Sequence, residues 1–260
     1  MQMNCQAAAI EELKTLCNYD RHSVIIEGPS GCGKSYLANQ YGVMLKITEF
    51  HIVQPSVSSI REAINTCMIT DNPVVLCIEN LDTGVAGASY TLLKFFEEPL
   101  PNVYIVVTCR NINRVPSTIV SRGVCVTTCS PTIRDIADYA RNLDVQMYER
   151  IKDNKLFSCA NSFHNIDELF KLTDDKLAYI QNLDSLLSSN QPVSDIVWSL
   201  NHFTDNTELP IDIVIQYFIK CSKNLHNRQC AIECLNDITE GRIASHTVLT
   251  KFVFDMKYTE

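Results

Sequence analysis

The chain is 260 residues long, 46% hydrophobic and 20% charged, a balance that excludes a disordered or fibrous chain and allows one large domain or two to three smaller ones. A formal net charge of −8 excludes a global electrostatic attraction to nucleic acid, so any contact with DNA has to come from a local patch. None of the twelve cysteines falls in a C-x-x-C pair, which excludes the usual zinc spacing and a thioredoxin-like redox motif.

Cys77 and Cys109 lie within apolar runs, where a free thiol behaves as a small buried hydrophobe, and so many such thiols fit a reducing compartment. The N-terminus lacks a signal-peptide pattern and no apolar stretch is long enough to span a bilayer, so the expectation is a cytoplasmic protein without a membrane partner.

In chain order, Ile10, Leu13 and Leu16 recur at helical spacing and predict an amphipathic helix from Ala7 to Cys17. Val24-Ile25-Ile26 reads as a short buried strand, and Lys34 to Leu45 as a helix after a glycine-rich break. Three further apolar runs, Ile47 to Val53, Val74 to Ile78 and Val103 to Val107, alternate with helical patterns and predict a parallel sheet flanked by helices. Beyond Cys129-Ser130-Pro131 helical periodicity takes over, with Ile133, Ile136, Ala137 and Ala140 on one face and a helical run from Leu169 to Leu187. Ser188 to Pro192 reads as a linker or long turn. After it, Ile196, Val197, Leu200 and Phe203 share a helical face, and Ile211 to Ile219 is apolar almost all round, the pattern of a deeply buried helix.

Gly28-Pro29-Ser30-Gly31-Cys32-Gly33-Lys34-Ser35 fits the phosphate-loop pattern G-x-x-x-x-G-K-[ST], directly after a strand and opening a helix. Glycines there let backbone N–H groups approach phosphates at a helix N-terminus. Lys34 supplies a cation near the terminal phosphates of ATP, and Ser35 a hydroxyl for Mg2+. A second acidic site follows the apolar strand Val74 to Ile78: Glu79 stands where aspartate is commoner and serves as a hard oxygen ligand for the metal. Asn80 stands where the general base usually stands, and an amide cannot take a proton. Asp82 has two readings, an alternative base or a solvated carboxylate at a helix start.

Leu92-Leu93-Lys94-Phe95-Phe96-Glu97-Glu98-Pro99 resembles the L-L-K-x-x-E-E-P helix of the small AAA+ subunits of DNA sliding-clamp loaders. The motifs around it resemble the same family in the same order: Ser59-Ile60-Arg61-Glu62, Glu79-Asn80-Leu81-Asp82, Thr108 with Asn111 at the sensor-1 turn, and Pro116-Ser117-Thr118-Ile119 before Ser121-Arg122. Ser121-Arg122-Gly123 departs from the family's S-R-C. The resemblance covers about the first half of the chain in register. It implies an AAA+ domain over 1–130, a helical lid over 131–190 and a helical collar over 191–260. It also implies ATP and Mg2+ as cofactors, and other loader subunits, a sliding clamp and primer–template DNA as partners. Arg122 becomes the candidate arginine finger for a neighbouring subunit's ATP, and Arg61 the candidate contact to a DNA phosphate; a surface or helix-capping arginine and a solvated helix charge are their plain alternatives.

Asn80 bears on the role. Cys159 to Asn165 resembles the start of the sensor-2 helix, yet no arginine stands where the family presents one, and His164 is a weak substitute or a structural histidine. These departures fit a non-hydrolysing, delta-prime-like subunit, while the intact Lys34-Ser35 pair fits an ATP-binding one; another AAA+ replication factor, such as a helicase loader, is the remaining alternative. His226, Cys230 and Cys234 recur every four residues, but Asn224 to Asn227 reads as a turn and no fourth metal ligand accompanies them. The aromatic stripe of Phe203, Tyr217 and Phe218 reads as core rather than a base-stacking platform.

Overall fold

A computed structural model describes residues 4–69, 72–84, 86–187, 192–201, 211–239 and 245–258. Its contacts divide the chain after Pro131 into two units. The first contains helix α1 (Ala7–Asn18), β1 (Ser23–Glu27), α2 (Lys34–Met44), β2 (Glu49–Val53), α3 (Val57–Ile69), β3 (Val74–Ile78), α4 (Ala86–Glu97), β4 (Val103–Cys109), α5 (Ser117–Val120) and β5 (Val124–Thr127). The five strands form one sheet in the order β2-β3-β4-β1-β5, every neighbouring pair parallel.

The alternation of side chains along a strand explains both faces of this sheet. Ile25, Val74, Leu76, Ile78, Ile105 and Val107 point to one face and pack with Ile60, Ile64, Leu92 and Phe96 of α3 and α4. Val24, Ile26, Val75, Cys77, Val106 and Val126 point to the other and pack with Leu13 of α1 and Leu37 and Tyr41 of α2. A sheet covered on both sides has continuous apolar strands, which is why β3 is buried at every position. Truncating a fully buried member such as Ile25 to alanine costs about 2–5 kcal/mol.

Two strands differ from the sequence expectation. β5 is a fifth strand that the apolar runs did not announce, because Val124 to Thr127 is four residues long and alternates exposed Cys125 and Thr127 with buried Val126. β2 starts at Glu49 rather than Ile47, since Lys46 takes a left-handed turn (φ 61°) and the Ile47 N–H bonds back to Gly42 O.

The second unit is helical: α6 (Ile133–Leu143), α7 (Val145–Ile151), α8 (Lys155–Cys159), α9 (Phe163–Lys171), α10 (Asp174–Leu187), α11 (Val193–Asn201), α12 (Ile211–Cys221), α13 (Leu225–Thr239) and α14 (Ser245–Tyr258). Its short helices begin on side-chain caps: a Thr132/Asp135 capping box on α6, Asp144 on α7, Asn154 on α8 and Ser162 on α9. One apolar core runs from Ile136 to Val253, so helices on both sides of position 190 bury side chains together. Ile213, Val214, Ile215, Tyr217 and Phe218 of α12 lie in it, with Phe218 edge-on to Phe252 at 4.9 Å.

The run from Leu169 to Leu187 is two helices rather than one, because Leu172 adopts an extended backbone after α9. Ile133 is 56% exposed, off the face that buries Ile136 and Ala140. Leu225 opens α13, so the expected turn over Asn224 to Asn227 is already helical at its end. Phe203 and the linker residues 188–191 lie outside the described residues. No described helix is long and apolar enough to cross a membrane.

Candidate nucleotide site

The parallel register places the C-terminal ends of β1, β3 and β4 along one edge of the sheet, the position where open α/β sheets bind ligands. The chain turns off β1 at Gly28, whose N–H donates to Cys109 O at 3.1 Å. Gly28 has φ +156°, and a Cβ there would lie 1.8 Å from Thr128 Oγ1, so only glycine fits. Gly31 and Gly33 are left-handed at φ 69° and 95°, and Gly33 opens α2. Pro29 and Ser30 form the exposed tip, whereas Cys32 is buried.

Lys34 is 7% exposed, and its ammonium donates to Gly28 O at 2.8 Å and Pro29 O at 2.7 Å. Among the described residues no carboxylate is ion-paired with it. Burial lowers its pKa below the ordinary lysine value, with Arg110 adding to the depression and the Cys32, Cys109 and Asp82 side chains opposing it. A buried cation that has only neutral acceptors favours an incoming anion. One residue on, the Ser35 hydroxyl donates to Glu79 Oε1 in a short contact. A hydroxyl and a carboxylate meeting beside this loop form a hard oxygen pair suited to a divalent cation.

Asn80 follows Glu79 in a left-handed conformation (φ 49°), and its N–H donates to Oγ1 of Thr108, which is 1% exposed, at 3.0 Å. Asn111 is tied to the same region through its N–H, which donates to Asp82 Oδ2 at 3.3 Å, while its Oδ1 caps Asn113 N–H. The other Asp82 oxygen is buried without a hydrogen-bond partner among the described residues. Asp82 is therefore not a freely solvated helix-start carboxylate. Burial, and then the Asp82 and Glu27 carboxylates, push the Cys109 thiol up to about 12.

Several supports were not legible as motifs. Glu27 Oε1 accepts the Ile112 N–H at 2.8 Å, fixing the turn after β4. Thr128 Oγ1 donates to Glu27 O at 2.9 Å and lies 3.0 Å from Cys32 Sγ, leaving the thiol as donor in that contact. Gln6 is 1% exposed; its amide NH2 donates to Cys129 O at 2.7 Å and Cys32 O at 3.2 Å, and its oxygen accepts from Cys129 N at 3.1 Å. The one sequence signal for Gln6 is a polar residue just before an alanine-rich helix start, and no spacing rule picks it out.

Ser35 and Glu79, Asn80 and Thr108, and Asn111 through Asp82 are thus brought together around the loop. Arg122 and Arg61 have no described contact with that cluster. Arg122 Nη2 pairs with Glu97 Oε1 at 2.8 Å, and Nη1 donates to Thr118 O at 2.8 Å. Arg61 is exposed on α3, at the margin of the face that buries Ile60 and Ile64. In the helical unit His164 is exposed on α9, next to buried Asn165, which accepts the Asn161 N–H at 3.1 Å. His226 Nε2 lies 3.6 Å from Cys230 Sγ, and no group of three or more side chains that could hold a metal ion occurs among the described residues.

Residues 43–130 match the family model described as DNA polymerase III, delta subunit, a segment that includes Glu79, the Leu92–Pro99 motif and Arg122 but begins after the phosphate loop. A comparison with curated protein sequences finds no match. Among solved structures, a DNA polymerase III gamma subunit-related protein from Thermotoga maritima superposes with a TM-score of 0.58 at 13% identity, covering 96% of this chain and 98% of that one. The RuvB Holliday junction branch migration motor of the same organism gives a TM-score of 0.46 at 13% identity, covering 84% and 88%. The first of these superpositions, over nearly the whole of both chains, shows a shared fold, and residues 43–130 are similar to a DNA polymerase III delta-subunit family.

Proposed function

We propose that this chain is an ATP-binding subunit of a multi-subunit loader that opens a ring-shaped sliding clamp and places it on primer–template DNA. The observation that carries the nucleotide reading is the buried Lys34 ammonium, cradled by a glycine loop and without an ion-paired carboxylate among the described residues, beside the Ser35–Glu79 oxygen pair. These residues fit ATP with Mg2+: Lys34 and the loop N–H groups would hold the phosphates, and Ser35 and Glu79 the metal. Bound ATP supplies a phosphoryl group whose transfer to water resets the assembly. Thr108 and Asn111 set the geometry of the loop that faces them through Asn80 and Asp82. Arg122 acts on a neighbouring subunit's phosphates, and Arg61 contacts the DNA backbone. The lid is assigned to 131–190 and the collar to 191–260.

A second reading has a specific observation behind it. The position after Glu79 holds an amide whose backbone is locked onto Thr108, so no carboxylate stands there to orient and deprotonate water. The chain would then bind nucleotide without turnover and complete a partner's site, in the manner of a delta-prime-like subunit.

Two measurements test the proposal. Calorimetric titration with MgATP reads the nucleotide site, and purification of the tagged full chain from its own cell reads the partners. Recovery of a ring clamp or loader subunits supports the loader role; recovery of a replicative helicase instead overturns it.

A further inference from the structure

The second unit contains a thiol pair that the nucleotide chemistry does not use. Cys159 ends α8 and is fully buried, Cys221 ends α12 and is half-buried, and their sulfurs lie 3.8 Å apart although 62 residues separate them in sequence. The preceding residues meet as well: Lys220 Nζ donates to Ser158 O at 3.1 Å. Two successive contacts, 158 with 220 and 159 with 221, hold the ends of the two helices in register. Thiols in van der Waals contact need only side-chain rotation and a small approach to reach bonding distance.

We propose that Cys159 and Cys221 form a reversible disulfide, closed by a low-molecular-weight disulfide such as oxidised glutathione and opened by thiols. The half-buried Cys221 thiolate attacks one sulfur of the oxidant and releases its first thiol. The Cys159 thiolate then attacks the Cys221 sulfur of the mixed disulfide and releases the second. Two protein thiols lose two electrons, which reduce the oxidant to two thiols, and the two protons go to those products. Burial, and then the neighbouring Cys221, push the Cys159 thiol up to about 11, while Lys220 acts in the opposite sense. Each step needs a thiolate, so formation of the bond accelerates with pH.

The bond ties α8 to α12, so it would fasten the segment assigned to the lid onto the segment assigned to the collar. The bond itself rests on no functional reading. In a reducing compartment it stays open, and it closes when the thiol pool is oxidised.

The test uses the full chain incubated with oxidised glutathione, alkylated without reduction and digested with trypsin. The expected product is peptide 156–171 linked to 221–223, lost on treatment with dithiothreitol. The melting temperature rises by roughly 5 °C on oxidation, because a loop of this length is closed in the unfolded chain. Cys221→Ser, at the half-buried position, abolishes both changes while leaving the reduced fold intact. A stable glutathione adduct on Cys221 with Cys159 still alkylatable, or Cys159 linked to another cysteine, overturns the proposal.

Discussion

Arg122 is ion-paired within its own chain, Nη2 to Glu97 Oε1 at 2.8 Å, and both partners are more than a third exposed. Glu97 closes α4, within the Leu92–Pro99 motif, and Arg122 lies in the segment after α5, so two of the motifs that resemble loader subunits touch each other.

An exposed pair of this kind is worth at most about 1 kcal/mol. Glu97→Gln should therefore barely move the melting temperature of the isolated chain. Arg122→Ala should leave the chain's own nucleotide affinity intact and depress the ATPase of an assembled complex on the order of 10³-fold, as loss of an arginine finger does. Weaker ATP binding by the Arg122→Ala monomer, with the assembled ATPase untouched, would show a local role instead.

Gly28→Ala should unfold or destabilise the first unit by several kcal/mol, about the cost of a severe clash with a positive φ, because the new Cβ meets Thr128 Oγ1 at 1.8 Å. Adding Thr128→Ala removes that oxygen and should restore part of the loss. Denaturant melts of the single and double variants decide it; additive losses would place the strain elsewhere.

Lys34 gives a pH signature. Burial lowers its pKa in the free chain, and phosphate oxygens would raise it again. The sign follows: below the lowered value the lysine is charged in both states and affinity is flat, and above it binding takes up a proton and affinity falls as pH rises. Calorimetry in buffers of differing ionisation enthalpy should show proton uptake growing from neutral to alkaline pH. Proton release over that range would mean that Lys34 is not the group facing the ligand.

Asn80 predicts slow chemistry. The isolated chain should turn over ATP slowly or not at all, and Asn80→Glu should raise the single-turnover rate by about 10-fold or more by restoring a carboxylate. Rapid hydrolysis by the unaltered chain, lost in Asp82→Asn, would assign the base to Asp82, whose Oδ1 has no partner among the described residues.

The sheet and the phosphate loop were legible because each leaves a strong local signature: apolar runs for strands buried on both faces, and glycines at positive φ before a lysine. β5 was not, since four residues with two exposed positions carry too little pattern. The break at Leu172 was hidden because no glycine or proline stands between α9 and α10. Gln6, Thr128 and Glu27 support the loop by contacts from Gln6 to Cys129 and from Glu27 to Thr128, across more than a hundred residues. No reading of local spacing reaches such pairs. Arg122 was picked out by its neighbours in sequence, but its partner Glu97 was visible only in three dimensions.

The glycine loop and its buried Lys34, which has no carboxylate ion-paired with it among the described residues, are expected to bind MgATP. Titration of the full chain with MgATP by calorimetry tests it most directly, with Lys34→Ala as the comparison. Saturable one-site binding, weakened at least about 100-fold in a folded Lys34→Ala variant, is the predicted result. Unchanged affinity in that variant, or no binding by the unaltered chain at millimolar nucleotide, would contradict it.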